Sequence, residues 1–159
     1  MLKTFNLLIV GAFLSTLISC DSNTIIDEQF DMAEGAWHED SLASFNFEIE
    51  DTTTVYFLDY NVRYAVNYPY YNLYVKYYLE DSVGIMISSE LQELVLFDKK
   101  TGEPQGEGLG DLYDRNVRIF EEQKFDYSGA YTLKVKQFMR MQELPGILSF
   151  GVKIEIPKE

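Results

Sequence analysis

Ser44-Phe45-Asn46-Phe47-Glu48-Ile49-Glu50 alternates without a fault: Phe45, Phe47 and Ile49 point one way, the polar residues the other. Successive side chains of an extended chain leave on opposite faces, so a period of two predicts a strand with one face buried. The pattern recurs on the C-terminal side. Val55 to Val66 places Tyr56, Leu58, Tyr60, Val62 and Tyr64 on one face, with Asp59, Asn61 and Arg63 on the other. Leu73 to Glu80 repeats it with Leu73, Val75, Tyr77 and Leu79. Between them lies Asn67-Tyr68-Pro69-Tyr70-Tyr71-Asn72, where proline sets φ and asparagine tolerates unusual backbone angles. The two strands and this turn read as a hairpin.

Further strands are expected over Val83 to Ser88, over Glu90 to Phe97, and from Val117 to Phe125 with a break at Glu121-Glu122. Two more run from Ala130 to Phe138 and through Leu148, Phe150, Val152, Ile154 and Ile156. Glu103 to Asn116, with Gly106, Gly108 and Gly110, reads as a long irregular loop, a kind of segment that is usually functional or disordered. Tyr131, just after Ser128-Gly129, sits either where a tyrosine corner stands in Greek-key sandwiches, its hydroxyl tying backbone at the sandwich end, or as a plain half-buried strand tyrosine. Short strands with frequent turns and no long helix predict an all-β domain, a single antiparallel sandwich of Greek-key or jelly-roll type.

Ahead of these strands the chain has a different character. Met1 to Ile18 carries one early base, Lys3, and an uncharged apolar run from Phe5 to Ile18, the layout of a secretory signal. The run is short for a bilayer span. It ends in Leu17-Ile18-Ser19-Cys20, which resembles a bacterial lipobox. There the cysteine sulfur takes a diacylglycerol, the bond before it is cut, and the freed amine takes a further acyl chain. The expected organisation is a signal peptide over residues 1–19, a lipidated N-terminus and tether over 20–34, in which two or three of Ile25, Ile26, Phe30 and Met32 can dock as a first edge strand, and the sandwich over 35–159. Cys20, the single cysteine, is the expected lipid attachment site, which leaves no thiol for a disulfide, a nucleophile or a metal.

Removing residues 1–19 from 159 leaves 140, enough for one domain with its own core. The net charge of −13 becomes one unit more negative when Lys3 leaves. That balance argues against nucleic acid and against adhesion to anionic lipid through protein charge. His38 is the one histidine, short of the nitrogen and sulfur ligands a zinc site needs, and no serine stands in a nucleophile-elbow pattern. Gly106-Glu107-Gly108-Leu109-Gly110-Asp111 lacks the spacing and lysine of a phosphate cradle. The expectation is therefore no enzyme, no catalytic residue, no metal and no cofactor beyond the covalent lipid. Contact chemistry is concentrated in two stretches, Tyr68, Tyr70 and Tyr71 in the aromatic turn and Gly108, Gly110 and Asp111 in the glycine-rich loop. Either could meet a partner, or the tyrosines could pack into the core and the glycines merely turn the chain. Tyr74 and Tyr78, sharing a strand face with Lys76, suit a platform for sugar rings as well as a covered second face.

Taken together, several segments in order resemble the gliding-motility lipoprotein family GldH. They are Cys20-Asp21-Ser22-Asn23, Gly35-Ala36-Trp37-His38, Phe45-Asn46-Phe47-Glu48-Ile49 and Asn67-Tyr68-Pro69-Tyr70-Tyr71-Asn72-Leu73. Gly106 to Asp111, Ser128-Gly129-Ala130-Tyr131-Thr132, Gln137-Phe138-Met139-Arg140, Leu144-Pro145-Gly146-Ile147 and Gly151-Val152-Lys153-Ile154-Glu155 complete them. The order and spacing carry the resemblance. Pro104-Gln105 stands where the family often has a tryptophan. The resemblance implies a non-enzymatic envelope component of the gliding machinery and its associated protein secretion, with other envelope proteins as partners. The alternative is a lipid-anchored carbohydrate-binding module of a polysaccharide-uptake system. After Cys20 only Asp21 is acidic before Ser22-Asn23-Thr24, so the dense acidic run of a surface-export signal is missing. The expected location is the periplasmic face, on the outer membrane in preference to the inner.

Overall fold

The computed structural model describes residues 23–158, and the signal segment and Cys20 lie outside them. The strands are Thr24–Asp31 (β1), Ala36–His38 (β2), Ala43–Ile49 (β3), Tyr56–Ala65 (β4), Asn72–Asp81 (β5), Met86–Val95 (β6), Glu107–Leu109 (β7), Leu112–Gln123 (β8), Gly129–Gln137 (β9), Glu143–Pro145 (β10) and Ile147–Glu155 (β11). They form a five-stranded sheet in the order β1-β11-β4-β8-β7 and a four-stranded sheet in the order β3-β9-β5-β6. All pairings are antiparallel, and β2 and β10 make a small two-stranded ribbon beside them. The sheets stack as a sandwich. Each contributes its apolar alternation to one core: Phe45, Phe47 and Ile49 of β3, Tyr60, Val62 and Tyr64 of β4, Val75 and Tyr77 of β5, Phe150, Val152 and Ile154 of β11. Tyr77 and Phe120 meet edge-on across the two layers, centroids 5.7 Å apart.

Several sequence expectations change. The hairpin between Val55 and Glu80 does not form: β4 lies in the five-stranded sheet and β5 in the other. The turn instead carries the chain across the sandwich, leaving β4 between β11 and β8 and β5 between β9 and β6. Residues 24–31, part of the expected tether, pair with β11 from Thr24 to Asp31 as an edge strand. The backbone groups on the free edge of β11 need donors and acceptors, and these residues supply them. The two short strands expected over Val83 to Phe97 are one strand, β6, with Val83 and Ile85 in the turn before it. The irregular stretch Glu103 to Asn116 contains β7 and the start of β8, and Glu143–Pro145, between the last two expected strands, forms β10. Glu121-Glu122 interrupts the register of β8 against β4 without ending the strand.

The tyrosine corner is present: the Tyr131 hydroxyl donates to the Tyr127 carbonyl at 2.7 Å. It is one of a set. Tyr56 donates to Asp51 O (2.7 Å), Tyr68 to Asn72 O (2.9 Å), and the Trp37 indole N–H to Ser41 O (3.0 Å). Buried aromatic rings thus pin backbone carbonyls in the turns and at the start of β5.

The register also fixes which loops share an end. Thr24 pairs with Glu155, which pairs with Phe57, so the chain enters the sandwich where β11 finishes and β4 starts. In the other sheet Ile49 pairs with Gly129 and Asp81 with Tyr131. The β3–β4, β5–β6 and β8–β9 connections therefore lie at this entry end. The β4–β5 crossover, the β7–β8 turn and the segment after β6 lie at the opposite, distal end. Ten residues of β4 at about 3.3 Å each separate the two ends by about 30 Å.

Candidate functional site

The two stretches singled out in the sequence meet at the distal end. The Val66 N–H donates to the Asp111 carbonyl at 2.8 Å, joining the β4–β5 crossover to the β7–β8 turn. The residues divide by role. Tyr68 is buried, its ring parallel to Phe97 and its hydroxyl on Asn72 O, so it holds the crossover rather than offering surface. Burial raises its phenol above the ordinary range. Gly146 supports the same turn from below: its φ is +83°, and a Cβ there would lie 3.0 Å from the Tyr68 Cα. Tyr70 and Tyr71 face out, each 37% exposed. The Tyr71 carbonyl accepts from both Leu96 N and Phe97 N at 2.9 Å, which fixes the backbone under an exposed ring. Lys99 Nζ stands 5.2 Å from the centre of that ring, and the Tyr70 hydroxyl reaches Met141 Sδ at 2.9 Å.

Lys99 is presented by a turn that Asp98 closes. The Asp98 carboxylate accepts from Thr101 N and Lys100 N, each at 2.8 Å, and these bonds hold its carboxyl below the usual range. The result is an open cleft of about 300 Å³ lined by Val66, Pro69, Tyr70, Tyr71 and Lys99 among others.

The glycine-rich stretch serves a different geometry from the one expected. A Cβ on Gly108 would fall 2.2 Å from the Tyr113 ring and 2.6 Å from the Leu112 carbonyl oxygen, so the glycine makes room for an aromatic and for the backbone of its own hairpin. Gly110 takes φ +66° and turns the chain. Asp111 works through its backbone carbonyl. The side chain that this turn offers outward is Leu109, 92% exposed, with exposed Leu112 beside it. They border a second shallow cleft of about 430 Å³ with Arg63, Glu107, Gly108 and Asp114. Its charges are paired: Arg63 Nε and Nη2 donate to the two Asp114 oxygens at 2.9 and 3.0 Å. Val66, Lys99, Leu109 and Leu112 were not singled out in the sequence. An aliphatic residue between two turn glycines was the available signal.

The other candidates disperse. Tyr74 and Tyr78 are half-buried on the outer face of the four-stranded sheet, with Glu93 beside Tyr74 and Lys76 over Tyr78. His38 Nδ1 accepts the Asp40 N–H within its own turn. Among the described residues, no group of three or more His, Cys, Asp or Glu side chains is placed to hold a metal ion. No helix among them is long and apolar enough to cross a membrane.

The GldH lipoprotein family matches residues 24–154. The chain is similar to a gliding motility lipoprotein GldH homolog of Christiangramia forsetii, 36% identical over 156 residues, covering 92% of this chain and 94% of that one. It is similar to the gliding motility lipoprotein GldH of Flavobacterium johnsoniae, 30% identical over 161 residues, covering 97% of both. Among solved structures, the infectious bursal disease virus VP2 subviral particle overlaps 90% of this chain and 34% of its own, at 12% identity and a TM-score of 0.34. That likeness carries no argument.

Proposed function

The chain belongs to the GldH lipoprotein family, and from that premise we propose a lipid-anchored, non-enzymatic component of the gliding-motility machinery and its associated protein secretion. Acyl chains on Cys20 hold the entry end at the membrane, and the distal end meets another envelope protein. The anchor faces the periplasm, on the outer membrane in preference to the inner. The observation that carries the partner assignment is the joining of the two exposed elements by Val66 N–H to Asp111 O, at the end away from Thr24. Exposed aromatic and aliphatic side chains on backbone already tied down lose little entropy when covered. Tyrosine suits such a surface, because its ring buries area while its hydroxyl stays paired.

The test is made in the native host. Tyr71→Ala with Leu109→Asp should abolish surface movement and co-purification of envelope partners while the protein level is unchanged. Cys20→Ser should leave an uncleaved precursor that takes up no labelled fatty acid. Normal movement with the distal variant would remove this end from the reading. Fatty-acid labelling of Cys20→Ser would remove the anchor. Digestion by protease added to intact cells would overturn the periplasmic placement.

A further inference from the structure

The entry end carries an apolar tip that the core does not use. Between β5 and β6 the chain runs Asp81-Ser82-Val83-Gly84-Ile85-Met86-Ile87. Val83 is 75% exposed, Ile85 63%, Met86 57% and Ile87 43%. Four adjacent aliphatic side chains in water are unfavourable unless something covers them.

The turn beneath them is closed on itself. Asp81 Oδ1 accepts from Val83 N (3.0 Å) and Ile85 N (2.8 Å). Asp81 O accepts from Gly84 N and Asp81 N donates to Ile85 O, both at 3.0 Å. The tip therefore offers apolar side chains on backbone whose N–H groups at Asp81, Val83, Gly84 and Ile85 are satisfied from within, which lowers the cost of approaching a low-dielectric medium. Tyr127, exposed on the β8–β9 loop, stands beside the tip, its phenol raised by desolvation and by the charge of the nearby Asp81 carboxylate. A tyrosine at that level matches the aromatic residues that settle among lipid headgroups.

The position of the tip selects its occupant. It lies at the end where the chain enters, and Asn23 is held there by the bond from Ile156 N to Asn23 O. Three residue steps separate Asn23 from Cys20, a reach of at most about 10 Å. A membrane gripping acyl chains on Cys20 is thus within about 10 Å of the end from which Val83 and Ile85 project. β1 and β6 occupy opposite edges of the sandwich, three strand spacings or about 15 Å apart along a sheet. We infer that the β5–β6 tip is a second, non-covalent contact with the bilayer that carries the Cys20 lipid. Two contacts on opposite edges stand the long axis upright and hold the distal clefts away from the membrane. Glu50, Asp51 and Asp126 lie in loops of the same end and repel anionic headgroups, so the contact is apolar and the appropriate probe is a zwitterionic bilayer.

This inference rests on the anchor reading above, and the experiment separates the two. Full-length lipidated protein is reconstituted into phosphatidylcholine vesicles, with and without bromine on the upper acyl carbons. Ile85→Trp and Leu109→Trp are compared, with buried Trp37 as a constant background. Both variants should float with the vesicles. Ile85→Trp should lose most of its added emission to the brominated lipid, and Leu109→Trp should keep its own. Flotation without quenching of Ile85→Trp would overturn the tip contact and leave the anchor standing. Equal quenching of both variants would overturn it too, since it would mark partition of tryptophan itself. An Ile85→Trp signal unquenched by lipid yet shielded from acrylamide would assign the tip to a protein or a second copy, against the inference. Failure to float would overturn both readings together.

Discussion

Removing one hydroxyl oxygen at two positions on the same face of β4 should change stability in opposite directions. Tyr60 and Tyr64 are both fully buried and face the same core. The Tyr64 hydroxyl lies 2.6 Å from Leu96 O and 2.8 Å from Gln105 O. In Tyr64→Phe, Leu96 O keeps the donor Gln105 N at 2.7 Å, whereas Gln105 O loses its partner. Losing the bond and leaving one carbonyl unsatisfied costs about 1–3 kcal/mol. The ring contacts with Phe97 and Tyr113 remain, so no cavity is added. The Tyr60 hydroxyl is buried with no hydrogen-bond partner among the described residues, packed beside Phe150. Tyr60→Phe removes an unsatisfied group and should stabilise by about 1 kcal/mol or more. For a domain of this size, about 3–4 °C in Tm accompanies each kcal/mol. Tyr64→Phe should then melt about 3–12 °C below the parent and Tyr60→Phe about 3 °C or more above it. Calorimetry of the two variants beside the parent is the assay. If Tyr60→Phe loses as much as Tyr64→Phe, its hydroxyl has a partner, such as a buried water, and the reasoning from the orphan atom is wrong.

Three other outcomes follow from the same structure. Tyr68→Ala should cost about 3–5 kcal/mol as a core truncation, while half-exposed Tyr71→Ala should cost about 1 kcal/mol or less, and equal losses in denaturant melts would contradict the division. Gly108→Ala drives a methyl into the Tyr113 ring and should cost about 1–3 kcal/mol; a neutral Gly108→Ala, or an equal loss in the Tyr113→Ala background, would show that the ring is not what demands the glycine. Burial raises the phenols of Tyr56, Tyr60, Tyr64, Tyr68 and Tyr131. Their folded values lie above the unfolded value of about 10, so the stability linked to them is complete below that pH and is lost as pH rises through the folded values. Tm should fall steeply above about pH 10, with tyrosinate absorbance of these five rings appearing together with unfolding, and a flat Tm over that range would oppose the assignment.

Much was legible before any coordinates, because the alternation of β3, β4, β5 and β9 is a local property of an extended chain. Residues one position apart in a strand cannot share a face and residues two apart must, so Phe45, Tyr60, Val75 and Leu133 had to enter a core with the apolar residues that alternate with them. The corner at Tyr131 was readable for the same reason, since its partner Tyr127 is four residues away. Strand partnership was not readable. Backbone ladders are blind to side chains, and the alternation of β4 and β5 serves a hairpin and a crossover equally well. What excluded the hairpin was distant: β11 and β8 already flank β4, and β9 and β6 flank β5. The candidate site divided in the same way. That an aromatic turn and a glycine-rich turn concentrate the contact chemistry was written in the chain. That Tyr68 turns inward while Tyr70 and Tyr71 stay out depends on Phe97 and Gly146, far along the sequence. Gly108 reads as a flexible loop until Tyr113 is seen occupying the space its side chain would fill. Sequence determined which faces are apolar, because that follows from covalent geometry one residue at a time. Tertiary structure alone decided which strands pair and which ends gather the exposed residues, because those choices depend on contacts between segments whose local patterns are compatible with more than one partner.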